Sequence, residues 1–322
     1  MFVDMILIAL VVGFATSIGA HYTGACMGMP HALGVVSKWQ ALLLMAPLAL
    51  LGAALASHPV ENTVALRLTG RRLDITEEIA VIALAFALTT TYNRIRVPTS
   101  TIQLLVFSLV GVAIGSGVGV LWRTVLVLVL VWLLAPVVAV LLGFSFTKVI
   151  DLVTRARAEE AHPRRVGTHR AIALCLVAVG GVASFTMGAN DVSNASGSLV
   201  ATRVADPLVA GAIGGLGLAL GVLTWGGPLL KRVAFDIVKV DQSMALAAQL
   251  VQALVVLTAV AFGLFTSMNQ ALVGAMAGAG LARGQGRIDQ AVLKGIVKGW
   301  AVGPSSALVL GLLLGRLTFV LR

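Results

Sequence analysis

The sequence predicts an all-α polytopic membrane protein made of two inverted repeats, each of about five transmembrane helices, with broken or re-entrant half-helices at the centre. Three observations lead there. Of 322 residues, 59% are hydrophobic and 11% charged, and a mean hydropathy of +1.01 excludes an ordinary soluble domain. Apolar runs of membrane-spanning length recur in two sets of five on either side of a polar segment. Two motif-like stretches of the first half return in the second at nearly constant distance.

Taken in order, the first apolar run covers residues 5–20; Asp4 precedes it and no Lys or Arg does, so it lacks the basic start of a cleavable signal and is expected to be retained. Runs at 39–57, 79–92, 102–120 and 122–146 complete the first repeat, residues 1–146. The polar segment 147–170 is a linker. Runs at 171–187, 206–227, 243–265, 269–283 and 290–320 form the second repeat, residues 171–322. The glycine-broken stretches 21–36, 189–203 and 266–283 are candidates for half-helices or re-entrant hairpins.

The formal charge of +10 sits in the connections between apolar runs, which makes it topology information rather than a nucleic-acid patch. The linker carries Lys148, Arg155, Arg157, Arg164, Arg165 and Arg170 and is therefore expected in the cytoplasm. Five spans on either side then leave both termini outside, with Lys38, Arg94 and Arg96 inside, and with Lys231, Arg232, Lys239, Arg283, Arg287, Lys294 and Lys298 inside as well. Residues 58–78 fall outside, where Arg67, Arg71 and Arg72 run against the rule. The partner implied is a lipid bilayer, the cytoplasmic (inner) membrane. Cys26 and Cys175 lie within apolar segments and are expected to be buried small residues rather than a disulfide.

The internal similarity ties the halves together. Residues 17–28 (SIGAHYTGACMG) resemble 186–197 (TMGANDVSNASG), with Gly19 and Gly188 169 positions apart; 98–115 resemble 265–282, with Ser100 and Ser267 167 apart. An odd number of spans per unit turns the second copy upside down, the architecture in which broken helices from both repeats meet near the midplane.

The costly residue is Asp191. A carboxylate at the end of an apolar run costs several kcal/mol unless solvated or paired, and Asn190, Asn194, Ser193, Ser196, Ser198, Gly188 and Gly197 surround it with groups suited to lining a cavity. Stretches 19–28, 98–103, 188–198 and 265–270 are expected to converge. Ser100, Thr101 and Gln103, and Thr266, Ser267, Asn269 and Gln270, follow breaks in apolar sequence where half-helices could begin, and helix N-termini offer unpaired N–H groups to a small oxyanion. Gly111, Gly115, Gly274 and Gly278 are expected to be helix-packing positions. A channel would want carboxylate rings, a metal pathway a His and Cys cluster, and an enzyme a metal-binding H-E-x-x-H or a Ser-His pair. None is evident, so the chain is not expected to be an enzyme and no metal site or organic cofactor is expected.

The stretch GANDVSNASG resembles the signature of the inorganic phosphate transporter (phosphate/sulfate permease) family, where a GANDVANA-type motif occurs once in each half and a Pro-x-Ser-Thr-x-His-type motif follows each. The resemblance implies a secondary symporter of an inorganic oxyanion driven by Na⁺ or H⁺, with substrate held between the repeats by Asn190, Asp191, Asn194, Ser100, Thr101 and Ser267. Departures matter. His21 and Tyr22 stand where the family's first Asn-Asp pair would be, Gln103 and Gln270 stand where its later histidines would be, and Met268 replaces a Thr. The degenerate first motif resembles the sulfate permease branch. Sulfate only accepts hydrogen bonds, whereas phosphate near neutral pH has a proton to donate, so fewer carboxylates and added Gln, His and Tyr favour sulfate. The same loss removes hard-cation ligands and favours H⁺, with Asp191 and His21 as candidates to carry it. The alternative is a Na⁺- or H⁺-coupled phosphate transporter. A homodimer is compatible with either.

Overall fold

The protein is described here by a computed structural model that covers residues 1–95, 99–159, 165–230, 240–284 and 290–320. Thirteen α-helices follow one another among the described residues: α1 (Phe2–His21), α2 (Thr23–Ala32), α3 (Lys38–Ala56), α4 (His58–Leu66), α5 (Ile75–Arg94), α6 (Thr101–Gly115), α7 (Trp122–Glu159), α8 (Arg165–Asp191), α9 (Ser193–Ala201), α10 (Pro207–Trp225), α11 (Gln242–Ala261), α12 (Met268–Ala282) and α13 (Gln290–Val320). A 3-10 turn, Gly227–Leu229, follows α10, and a single β-bridge joins Thr69 to Val120.

Polar side chains set where these helices begin. Ser37 and Asp74 each build a capping box, with Gln40 and Glu77, at the starts of α3 and α5. Ser100, Asp206, Asp241 and Ser267 cap α6, α10, α11 and α12 by accepting the backbone N–H three residues on. Four of these caps pair at the distances of the sequence repeat: Ser37 with Asp206, 169 apart, and Ser100 with Ser267, 167 apart.

Eight helical stretches are long and apolar enough to cross a membrane. They take up eight of the ten expected runs. The other two, at 102–120 and 269–283, become α6 and α12, of 15 residues each. At 1.5 Å per residue these reach about 22 Å, short of a hydrocarbon core of about 30 Å. The broken stretches at 21–36 and 189–203 become α2 and α9, which continue α1 and α8 past single-residue breaks at Tyr22 and Val192. Large apolar side chains such as Leu126, Leu130, Leu133 and Leu141 face outward along α7, as lipid contact requires.

Residues 58–78, expected outside, hold α4, and Glu61, Glu77 and Glu78 are buried; Arg71 pairs with Glu77 at 2.8 Å and Arg72 donates to the carbonyls of Val200 and Ala201 at the end of α9. Cys175 is exposed, whereas Cys26 is buried as expected. Most of the 147–170 linker is helical, since α7 runs to Glu159 and α8 begins at Arg165. Arg96, Arg164, Lys231, Arg232, Lys239 and Arg287, which entered the inside assignment, lie outside the described residues.

Glycine decides how the long helices meet. A Cβ at Gly19 would strike the Leu218 carbonyl and one at Gly221 the Thr16 carbonyl, so α1 and α10 touch backbone to backbone. Gly188 against Ala49 and Gly52 against Phe185 bring α8 and α3 together in the same way. Each of these four residues in the α1/α10 contact has its counterpart 169 positions away in the α3/α8 contact. Gly111 and Gly311 close α6 on α13, and Gly143 and Gly278 close α7 on α12. In all four pairs residue numbers rise together along the contact, so the paired helices run parallel. Every pair takes one helix from each half.

Such contacts leave no room for a side chain, and overpacking costs about 1–3 kcal/mol or more. Gly221→Leu is therefore expected to lower the melting temperature of the detergent-purified protein markedly. Gly119→Ala, where no atom lies within 4 Å of the added Cβ, should leave it within about a degree, the scale of a surface change. Differential scanning fluorimetry reads both.

Candidate functional site

The four expected stretches do come together, at the breaks between α1 and α2 and between α8 and α9 and at the starts of α6 and α12. Asn190, the next-to-last residue of α8, has both amide atoms engaged: Nδ2 donates to the Thr266 carbonyl at 2.9 Å and Oδ1 accepts the Thr266 N–H at 3.2 Å. This pair of bonds ties the α8/α9 break to the segment leading into α12. In the first half the corresponding tie is made by Tyr22, whose phenol and the Thr101 hydroxyl are 2.9 Å apart at the start of α6.

Two further contacts cross between the halves. Nδ2 of Asn269 donates to Nε2 of His21 at 3.0 Å, which makes that nitrogen the acceptor. The Tyr22 phenol faces the Asp191 carboxylate, and the His21 and Tyr22 rings meet edge to face. Asp191 is fully buried, and its Oδ2 accepts Nδ2 of Asn190 at 3.0 Å. Among the described residues no Lys or Arg forms an ion pair with it.

Each remaining candidate has a definite place. Ser100 and Ser267 are buried, and each hydroxyl is held as an N-cap acceptor 3.4 Å from the N–H of Gln103 or Gln270. They position the two helix starts through one lone pair each, and the O–H of each stays available to donate. Gln103 and Gln270 are buried at equivalent places, and Oε1 of each has no protein partner among the described residues. Asn194 is buried with both amide atoms unpartnered, as are Oδ1 of Asp191, Oγ1 of Thr266 and Oδ1 of Asn269. An unpaired buried polar atom costs about 1–3 kcal/mol, and so many of them on four converging stretches describe a surface built to receive something polar. His21 is half-buried and turned toward Asn269 rather than Asp191.

Several polar residues near this centre escaped the sequence reading. Gln249 on α11 donates Nε2 to the Cys26 carbonyl on α2, and Gln252, one turn further on, is fully buried with no partner for either amide atom. Their signal was two glutamines three positions apart inside the apolar run 243–265. Glu61 on α4 is buried and receives the Ser196 hydroxyl; the charged residues around it in sequence hid it. Among the described residues no group of three or more His, Cys, Asp and Glu could hold a metal ion.

Comparison with known proteins agrees with this picture. A model of the phosphate transporter family matches residues 18–311. The sulfate permease CysP of Bacillus subtilis is 27% identical over 304 residues, covering 94% of this chain and 84% of that protein. The solved structure of a sodium-dependent phosphate transporter matches over all of both chains with a TM-score of 0.90 at 22% identity, which shows a shared fold.

The double bond between Asn190 and Thr266 should be the strongest link in the second half. Asn190→Ala is expected to destabilise the protein by about 2 kcal/mol, because it leaves a buried N–H and carbonyl unpaired. Thermal unfolding in detergent measures this, and an unchanged melting temperature would contradict it.

Proposed function

The chain belongs to the phosphate transporter family, and from that premise we propose that it is a cation-coupled symporter of a small inorganic oxyanion, with sulfate favoured over phosphate and H⁺ as the driving ion. It is a multi-pass membrane permease and not an enzyme. The observation that carries the proposal is the placement of Tyr22. A phenol seated on Thr101 and facing Asp191 stands at the position equivalent to Asp191 itself in the first half.

A site with one carboxylate asks little proton donation from its anion. The starts of α6 and α12 supply backbone N–H groups and positive dipole ends, and Gln103, Asn194, Gln252 and Gln270 supply amides. Sulfate satisfies donors and donates nothing. A protonated phosphate would have to place its O–H against an acceptor, and on the four stretches Asp191 is the only carboxylate, beside the weaker amide oxygens of Gln103, Asn194, Asn269 and Gln270. A hard cation such as Na⁺ likewise finds few anionic oxygens there. Asp191 is thus the group that would bind and release a proton, with His21, which is turned toward Asn269, as a separate candidate carrier.

The parallel contacts of α1 with α10 and α3 with α8 support an inverted arrangement of the two halves. Helix α3 returns after the turn that ends α2, so it runs against α1; α8, the counterpart of α1, runs with α3. Alternating access would then move one set of paired helices against the other around the central anion. With the basic connections in the cytoplasm, both termini face outside.

A second proposal, Na⁺-coupled phosphate transport, has its support in the names of the family and of the solved structure. Uptake of radiolabelled sulfate into proteoliposomes, with phosphate as competitor and choline in place of Na⁺, separates the two. Sulfate uptake that persists in choline and resists phosphate by about tenfold or more, the scale of one unsatisfied buried donor, is the expected result. Equal competition, or a requirement for Na⁺, supports the phosphate proposal instead.

Asp191→Asn should abolish accumulation driven by an imposed pH gradient, a loss of at least about tenfold, while the purified variant elutes as the wild type does on size exclusion. Wild-type accumulation by this variant would remove Asp191 from the coupling step.

A further inference from the structure

Glu61 lies outside all four motif stretches, on the nine-residue helix α4. It is fully buried. Its Oε1 receives the hydroxyl of Ser196 on α9, and its Oε2 has no protein partner. No Lys or Arg forms an ion pair with it among the described residues. The helix it rides is packed on α9 just beyond Asp191: Val64 covers Gly197, and the Ser193 hydroxyl reaches the Ser57 carbonyl at 3.4 Å. Thr63 donates to the Gly263 carbonyl at 2.7 Å, which joins α4 to the segment that leads to Thr266 and α12.

A carboxylate so enclosed is costly when ionised. The Ser196 and Ser57 hydroxyls beside it offset that cost only in part, because Ser57 also donates to the Ala53 carbonyl, and Ser193 is committed to the carbonyl of Ser57. Of the elements packed against α4, α10 presents the Asp206 carboxylate, whose like charge adds to the cost, and α8 carries Asp191; α9 and α11 have no ionisable residue. Burial pushes the Glu61 carboxyl up to about 7, so it can exchange a proton near neutral pH. The residue at the equivalent place in the second half, 169 positions on, is Leu230, also buried. The acid is therefore present in one half only, as a group that serves direction rather than shape would be.

We infer that Glu61 is a second proton-binding residue of the transport cycle, distinct from Asp191, which holds a proton while α4 is packed on α9. It rests on the proposed reading of the chain as a coupled oxyanion symporter. A proton added to Oε2 neutralises the carboxyl and lets α4 and α9 stay together beside the anion; its loss leaves a carboxylate facing Asp206, which favours separation of the two helices. The proton taken up on one side is thus the proton released on the other, and no other group changes its bonding.

Two measurements test this on the full-length protein. The first compares pH-gradient-driven sulfate uptake with sulfate exchange at equal pH in proteoliposomes. For Glu61→Gln the ratio of driven uptake to exchange is expected to fall about tenfold, as for loss of a relay carboxylate; an unchanged ratio overturns the inference, and so does equal loss of both modes. The second is thermal stability against pH. A carboxyl raised in the folded state contributes stability below its unfolded value, about 4.5, that is lost as pH rises through about 7. The wild type should lose melting temperature between about pH 5 and pH 8 more steeply than Glu61→Gln; parallel slopes overturn the inference. If wild-type vesicles move neither sulfate nor phosphate in any mode, the oxyanion proposal fails and the inference fails with it, whereas an unchanged ratio or parallel slopes in an active transporter overturn the inference alone.

Discussion

The Asp191 carboxylate is bonded to one neighbouring amide and faced by one phenol, and no cation among the described residues neutralises it. In a bundle surrounded by lipid, such a group is tolerated only if the protein holds polar atoms against it or lets a proton or an ion reach it. The other features of the centre follow from that need. The single-residue breaks at Tyr22 and Val192, whose own N–H and carbonyl groups stay hydrogen-bonded, lie beside it, and the starts of α6 and α12 bring two positive dipole ends toward the same place. Asn190 has both its amide atoms bound to Thr266, which keeps the break of the second half aligned with its own half-helix. Tyr22 does the same in the first half with a single bond to Thr101.

The scaffold around the centre is held by glycine rather than by large apolar side chains. Lipid tails are as apolar as leucine, so helices in a bilayer gain most from close van der Waals approach. The four backbone-to-backbone contacts, α1 on α10, α3 on α8, α6 on α13 and α7 on α12, use that gain. Because each joins helices from opposite halves, the halves interlock instead of standing side by side. Any movement of one set of pairs against the other changes the space around Tyr22 and Asp191, which lie at the ends of α1 and α8.

Much of this was legible in the residues. Composition required a membrane protein, and the apolar runs located the eight long helices, although α7 runs 13 residues past its run and α8 starts six before its own. The offsets of 169 and 167 indicated a duplicated unit, and they recur in the glycine contacts of α1 on α10 and α3 on α8 and in the caps Ser100 and Ser267. The group around Asp191 stood out because polar residues inside apolar sequence are expensive, and cost is visible in one dimension. What escaped was hidden by context. Glu61, Glu77 and Glu78 sit in a charged stretch that looks like an ordinary connection, and only the fold, by laying α4 on α9, makes their burial apparent. Cys175 went the other way: an apolar helix is buried by lipid as well as by protein, and sequence does not say which face is which. The shortness of α6 was blurred because its apolar run, 102–120, continues past Gly115, whereas the run 269–283 already had the length of α12.

The central claim is that one oxyanion binds between the two half-helix starts, within reach of both repeats at once. Selenate is isosteric with sulfate, and its selenium can be located in crystals by anomalous scattering. A single selenium peak between the N-termini of α6 and α12, with oxygens about 3 Å from N–H groups of both helices and beside Asn194, is the predicted result. A peak on one helix only, or one away from Tyr22 and Asp191, would contradict it.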